Sequence, residues 1–167
     1  MAVSDRPMPP PVADERATLA GWLDFYRATL ADKCAGLDEQ QLRAAAVAPS
    51  EMTLLGLVQH VAEVERNWFR RVLMGEDVPP LHPSAGEHSG GFDVHADGTF
   101  GQAVSVWHGE IEVARANCAG RALDSTSPFP GGSVTLRWIY SHMIAEYARH
   151  CGHADLVRER IDGITGV

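Results

Sequence analysis

The sequence predicts an all-α protein, a four-helix bundle with long loops between its helices. Apolar side chains recur at steps of three and four in several long stretches, which is the spacing of one helix face. No stretch shows the sustained apolar and polar alternation of a half-buried strand. The length of 167 residues fits one domain. We assign residues 1–12, which are rich in proline, to a disordered N-terminal segment and residues 13–167 to the bundle domain.

The first helix is expected between about Ala13 and Cys34, because apolar residues recur there along one face. These residues are Leu19, Trp22, Leu23, Tyr26 and Leu30. Gly36 offers a C-terminal stop. The segment from Leu37 to Leu42 then indicates a short helical turn within the connection to the next helix.

The second helix is expected from a cap at Ser50 or Thr53 to about Met74. Its apolar residues at helical spacing are Leu54, Leu57, Val58, Val61, Val64, Trp68 and Val72. Residues 75–98 contain Gly, Pro, Ser and Asp without a sustained period, which predicts one long surface loop. We expect its histidines to be solvated; the alternative is that part of the loop covers the mouth of a pocket. They are His82, His88 and His95.

Two further helices complete the predicted bundle. Thr99 can cap a third helix that extends to about Ala122. A segment rich in Ser, Pro and Gly follows and ends it. The last helix begins near Thr135 and continues to Ile161, and Gly163 supplies its stop.

Charge and cysteine content exclude some classes of partner. Twenty-two acidic residues against fourteen basic ones give a formal charge of -8, whereas binding to nucleic-acid backbones requires clustered positive charge. No run approaches the roughly 18 apolar residues of a membrane helix, and the first residues lack a secretory signal. The three cysteines are widely spaced, which predicts buried free thiols in a reducing compartment. We therefore expect a cytoplasmic protein without nucleic-acid or membrane partners.

Polar side chains interrupt two apolar helix faces. On the last helix, Glu146 and His150 share a stripe with Ile139 and Met143. Burying an ionised carboxylate without a partner costs several kcal/mol or shifts its pKa, so an inward Glu146 requires a cation or a hydrogen-bond network. His60 lies similarly on the apolar face of the second helix, where, taken singly, it is better interpreted as a hydrogen-bonded core histidine.

Taken together, His60, Glu146 and His150 predict a site for a divalent metal ion. Glu146 and His150 are one helical turn apart, and a residue from a facing helix can complete the ligand set, as in bundle metal sites. Two histidines and one carboxylate leave coordination positions open for water or substrate, which is the pattern of a catalytic site. A buried hydrogen-bond network without metal stays open as the alternative.

Four other polar residues on the last helix are candidate cofactor-binding residues. Eight residues of helix span roughly 12 Å, so His142 and His150 cannot both reach one ion, and His142 is expected behind the ligands or lining the cavity. His153 and Asp155 are candidates for orienting the ligands, and Arg158 for binding a ligand carboxylate. The alternative is a histidine at the core edge beside an exposed ion pair. The chain has no His-Glu-x-x-His, which argues against a metalloprotease.

Two segments resemble a known superfamily. They read LVQHVAEVERNW around His60 and EYARHCGHAD from Glu146 to Asp155, and they are similar to the DinB-like superfamily of metal-binding four-helix bundles. That superfamily usually carries His-x-x-x-His followed by x-Gly-Gln, whereas here Glu146 stands at the first His and His153 at the Gln. A Glu at that position also occurs in the mycothiol-dependent maleylpyruvate isomerases. The chain therefore resembles the mycothiol-dependent branch, which includes S-transferases.

The resemblance implies a metal-dependent thiol S-transferase. His60, Glu146 and His150 would hold zinc, with nickel or iron as alternatives, and mycothiol would be the thiol co-substrate. Metal coordination removes the thiol proton near neutral pH, and the thiolate attacks an electrophilic small molecule. The resemblance also implies a homodimer. Two other functions stay open: a metal-dependent hydrolase or isomerase, and a non-enzymatic stress-response or ligand-binding bundle.

Overall fold

The protein is mostly helical, as the sequence predicts. The computed structural model describes residues 6–82 and 98–166. Its elements are α1 (Glu15–Cys34), α2 (Glu39–Leu42), α3 (Leu54–Arg66), a π-helix (Asn67–Val72), α4 (Phe100–Cys118), β1 (Thr126–Phe129), β2 (Gly132–Thr135) and α5 (Leu136–Asp162). Among the described helices, none is long and apolar enough to cross a membrane.

The predicted helix caps are confirmed. Of the two candidates before the second helix, Thr53 is the cap, because its side chain accepts a hydrogen bond from the backbone of Gly56 at 2.9 Å. The side chains of Thr99 and Thr135 cap α4 and α5 in the same way. At the other end of α5, Gly163 takes the left-handed φ of 78° that closes many helices.

A two-stranded hairpin corrects the prediction that the chain contains no strand. β1 and β2 pair antiparallel, with Thr126 opposite Thr135 and Phe129 opposite Gly132. Each strand has four residues, which is too short for an alternating pattern to be recognised in the sequence. The third helix also ends at Cys118 rather than near Ala122, so the chain leaves the helix before it reaches the hairpin.

The second helix changes its geometry where it was predicted to be regular. From Asn67 to Val72 the α-helix continues as a π-helix, whose turns are wider. Trp68 and Phe69 lie in this segment and are buried. Apolar spacing at steps of three and four does not distinguish such a segment from an α-helix, so the sequence predicts only its helical nature.

The directions of α1 and α5 follow from contacts at both ends. Near their beginnings, the guanidinium of Arg137 donates to the carboxylate of Glu15 at 2.6 Å. Near their ends, Lys33 Nζ lies 2.7 Å from Asp155 Oδ1. The two helices therefore run parallel.

A second parallel pair is formed by α3 and α4. Arg66 donates to the carboxylate of Glu110 at 2.6 Å. Further along both helices, the side-chain amide of Asn117 donates to the carbonyl of Phe69 at 3.0 Å. Because the pair is parallel, the connection between them is a crossover, a topology that the sequence pattern alone left undecided.

A buried polar network joins one residue from each long helix. The guanidinium of Arg27 on α1 donates two hydrogen bonds of 2.8 Å to Glu65 on α3. Tyr147 on α5 donates to Glu65 at 2.7 Å and accepts from the indole of Trp107 on α4 at 2.8 Å. Glu65 is fully buried. The paired charge and the added hydrogen bonds offset the cost of removing this carboxylate from water.

The N-terminal segment differs from the expectation of disorder over residues 1–12 where the structure describes it. Arg6 donates to the hydroxyl of Thr29 at 3.0 Å and lies over the ring of Phe25 at 5.3 Å. Pro9 is buried against Gly21, where an added Cβ would be only 3.3 Å from the proline. Small and aromatic residues of α1 thus provide a packing surface for the N-terminal segment. The composition of the segment alone does not reveal this surface.

Replacing Glu65 by Ala is expected to lower the free energy of unfolding by about 3–5 kcal/mol, because it removes the buried partner of Arg27 and leaves this charge paired only with the partly exposed Asp24. Tyr147→Phe removes one shared hydroxyl and is expected to cost about 1–3 kcal/mol. Urea unfolding followed by circular dichroism measures both changes.

The matched control is Glu112→Gln, which removes an ion pair to Arg115 at the surface, where the two side chains are 70% and 50% exposed. Its expected cost is below about 0.5 kcal/mol. A Glu65→Ala protein as stable as this control would contradict the role of the network.

Candidate metal centre

The structure brings together His60 from α3 and the pair Glu146 and His150 from α5. His60 Nε2 lies 3.2 Å from Glu146 Oε1, and His150 Nε2 lies 3.1 Å from the same oxygen. The three candidate donor atoms all lie within 4.8 Å of one another. The juxtaposition predicted from helical spacing is therefore present in the fold.

The course of the two helices explains this convergence. His60 contacts Glu146 and His150, whereas Trp68, eight residues later on the same continuous helix, contacts Trp138. Since residue numbers rise on α3 as they fall on α5, the two helices run antiparallel. Glu146 and His150 are one turn apart on α5, so both side chains face the same turn of α3.

The site lies at the edge of the core and is open on one side. The side chain of His150 is 4% exposed, whereas those of His60 and Glu146 are 15% and 18% exposed. Two of the three groups are thus accessible to a small molecule, while the third is fixed within the protein. This arrangement suits a site that binds a ligand from solvent.

The electrostatics of the site match what metal ligands require. Burial raises the pKa of Glu146, but the hydrogen bonds from His60 and His150 outweigh it and hold the pKa below its usual value. Burial and the neighbouring His60 lower the pKa of His150. At neutral pH the carboxylate is therefore ionised and His150 is neutral, which are the states in which both groups bind metal.

His153 contacts the site from behind. Its Nδ1 lies 3.3 Å from Nδ1 of His150. If His150 binds an ion through Nε2, its proton is on Nδ1, and this N–H can donate to His153. Such a partner fixes the orientation of a ligating imidazole. The geometry is therefore compatible with the orienting role predicted for His153.

The donor set fits a divalent transition-metal ion. Two imidazole nitrogens and one carboxylate oxygen are ligands of zinc, iron and nickel. Three protein ligands on one side leave further positions open toward solvent. The same contacts also form a hydrogen-bond network, so the structure is compatible with the alternative reading of the sequence as well.

His142 is not one of the converging donors. Its ring lies 4.4 Å from the ring of Trp68 and is stacked on Trp138 at 5.1 Å with an interplanar angle of 4°. Burial lowers its pKa. Its expected place behind the ligands or lining the cavity, and its part in cofactor binding, stay predictions.

Asp155 and Arg158 contact the end of α1. Asp155 is paired with Lys33. Arg158 is buried and donates to the backbone carbonyls of Lys33 at 3.0 Å and Ala35 at 2.8 Å. These contacts give both residues a structural reason to be polar, and the ion pair of Asp155 is of the kind that the alternative interpretation of the sequence expects. Their predicted role in cofactor binding rests on the sequence alone.

The cysteines are free and buried, as predicted. Burial raises the pKa of Cys34 and of Cys151 to about 12. Burial also raises the pKa of Cys118. None of these thiols is a thiolate at neutral pH, so none is suited to act as a nucleophile.

One loop histidine lies beside a cavity. His82 lines a cavity of about 240 Å³ between α3 and α4, together with Gln59, Thr99 and Gln102. The alternative in which part of the long loop covers the mouth of a pocket stays a prediction. His88 and His95 lie outside the described residues.

Removal of His150 is expected to flatten the pH dependence of stability. The pKa of His150 is lowered from its ordinary value of 6.5, so below that pH the unfolded chain binds a proton that the folded protein does not. The free energy of unfolding of the metal-free protein should therefore fall as the pH decreases below 6.5. Urea unfolding in chelator between about pH 7.5 and 5.5 measures this slope.

His150→Ala should show a smaller slope than the wild type over this range. The control His108→Ala, on the exposed side of α4, should keep the wild-type slope. Equal slopes for wild type and His150→Ala would show that His150 is not held in its neutral form by the fold.

Comparison with known proteins identifies the family. A family model described as mycothiol-S-transferase matches residues 18–163. No curated protein matches the chain. The match covers α3, α4 and α5, most of α1 and all three candidate ligands, and it confirms the resemblance drawn from the segments around His60 and His150. The chain belongs to the mycothiol S-transferase family, which is part of the DinB-like superfamily.

Proposed function

We propose that the protein is a metal-dependent S-transferase, which conjugates mycothiol to an electrophilic small molecule. The observation that carries this proposal is the convergence of His60, Glu146 and His150 in a chain of the mycothiol S-transferase family. His60, Glu146 and His150 are proposed as the metal ligands.

The proposed scaffold is a four-helix bundle of the DinB-like type. Its support is the parallel pairing of α1 with α5 and of α3 with α4, and the buried network to which each of these helices contributes one residue. In this arrangement α3 and α5 face each other with the candidate ligands between them. Bundle sites of this kind draw their ligands from facing helices.

A divalent ion held there would lower the pKa of a thiol that reaches its open position. The protein contributes charge and orientation to this chemistry. Two neutral imidazoles and one carboxylate leave one positive charge on a dication, which favours an anionic further ligand such as a thiolate. His153 would keep the ring of His150 in its ligating orientation.

The nucleophile is proposed to be an external thiol because the thiols of the chain are unsuitable. All three cysteines are buried. In a conjugation with a haloarene, the sulfur of the small thiol forms a bond to the ring carbon and the carbon–halogen bond breaks. The halide leaves with the bonding electrons, and the thiol proton passes to solvent. No oxidant or reductant is required.

Zinc is the proposed metal, because histidine and carboxylate ligands with an open position are typical of catalytic zinc sites, and nickel or iron are the alternatives. The free buried thiols agree with a reducing, cytoplasmic location. The proposed assembly is a homodimer.

Elemental analysis is expected to find about one divalent ion per chain in protein purified without a metal-chelating tag. His60→Ala and His150→Ala should each lose the ion, because each removes one of three ligands. The exposed His108→Ala should retain it. Wild-type protein that contains no metal and also refuses zinc, nickel and iron would favour the hydrogen-bond network.

Metal-loaded wild-type protein is expected to consume mycothiol in the presence of monochlorobimane. His60→Ala and His150→Ala should reduce kcat/KM by roughly 100-fold or more, because the ligand set is incomplete. His108→Ala should remain active. Turnover of an ester or amide without added thiol would favour a hydrolase, and the absence of any conjugation by metal-loaded protein would contradict the transferase proposal.

A further inference from the structure

Four aromatic side chains form a contiguous cluster beside the candidate metal centre. They are Trp68, Phe129, Trp138 and His142, and we call them the aromatic wall. The ring of Trp68 lies 4.4 Å from His142, 5.2 Å from Trp138 and 5.5 Å from Phe129. Trp138 and His142 are stacked in parallel, with an interplanar angle of 4°.

The aromatic wall continues the stripe of α5 that carries the metal ligands. Trp138, His142 and Glu146 follow one another at four-residue steps, so His142 lies about 6 Å and Trp138 about 12 Å along the helix from Glu146. Trp68 approaches from the facing helix, eight residues beyond His60. The wall therefore borders the triad along both helices.

Part of the wall is accessible, and its rings are held in place. Trp138 is 44% exposed, which is unusual for so large an apolar side chain, while Trp68 behind it is only 9% exposed. The π-helix and the hairpin each contribute one ring, and α5 contributes two. π-Helical segments within α-helices are frequent at functional sites.

Exposure and stacking alone do not distinguish Trp138. Trp22 on α1 is 37% exposed and is stacked on Tyr26 with ring centroids 6.0 Å apart. What distinguishes Trp138 is its place on the stripe that leads to Glu146, with a second tryptophan, Trp68, facing it from the π-helix that continues α3. Trp22 therefore provides a matched control.

We propose that the aromatic wall is the acceptor subsite, which selects electrophiles built on a planar, electron-poor aromatic ring. This inference rests on the proposed function for its reaction. Indole faces carry negative charge in their quadrupole, so they stack favourably on rings depleted of electrons. Aromatic rings that undergo substitution by a thiolate are also depleted of electrons. The wall thus binds the class of ring that the neighbouring centre can attack.

The binding test uses 1,3-dinitrobenzene, which is planar and electron-poor and carries no halide for a thiol to displace. Isothermal titration calorimetry of the protein as purified is expected to show that Trp138→Leu weakens the affinity about tenfold, as loss of one stacking partner does elsewhere. Trp138→Phe should restore most of the affinity, and Trp22→Leu should leave it unchanged. Equal affinity in wild type and Trp138→Leu, or no binding by the wild type, would overturn the proposal.

The turnover test compares two electrophiles with mycothiol as the thiol. For 1-chloro-2,4-dinitrobenzene, Trp138→Leu should lower kcat/KM about tenfold, mainly through KM. For iodoacetamide, which has no ring, the change should stay within about twofold. An equal loss with both electrophiles would overturn the acceptor subsite. If the wild type conjugates neither of them, nor monochlorobimane, the proposed function fails, and dinitrobenzene binding alone decides whether the wall recognises aromatic rings.

Discussion

The buried ion pair between Arg27 and Glu65 is the interaction on which the arrangement of the helices depends. A carboxylate without solvent access is tolerated only where charge and hydrogen bonds compensate it, and here the guanidinium and the hydroxyl of Tyr147 do so. Glu65 lies five residues after His60 on α3, and Tyr147 is next to Glu146 on α5. The contact that satisfies the buried charge therefore also sets the position of the candidate ligands on the facing helices.

The antiparallel contact of α3 and α5 divides into three regions with different chemistry. Around Glu65 the contact between the helices is closed to solvent, and the carboxylate is hydrogen-bonded. Around Glu146 it is polar and partly open, with two imidazoles directed at one carboxylate oxygen. Beyond the turn that carries His142 it becomes aromatic and more exposed. A small thiol and a planar electrophile need adjacent polar and apolar surfaces, and these two regions border each other on the same pair of helices.

Helical spacing was sufficient to predict the long helices. An inward-facing charge on Glu146 needs a partner, and this requirement led to the prediction that His60 lies beside Glu146 and His150. Helical spacing could not predict the hairpin, since strands of four residues show no period. It also could not identify Arg27 or Arg158 as buried, because charged residues in a helical pattern are normally solvated and only the packed neighbours reveal their partners. The aromatic wall could not be predicted for a related reason: the sequence does not show that Trp68 and Phe129 reach Trp138 from other elements.

X-ray absorption spectroscopy of zinc-loaded protein, before and after addition of mycothiol, tests the central claim most directly. The account predicts nitrogen and oxygen ligands at about 2.0–2.2 Å in the free protein and an additional sulfur at about 2.3 Å once the thiol is present. His150→Ala should lose the nitrogen and oxygen pattern, while the exposed His108→Ala should keep it. A zinc site whose ligand shell gains no sulfur on addition of mycothiol would contradict thiol activation at this centre.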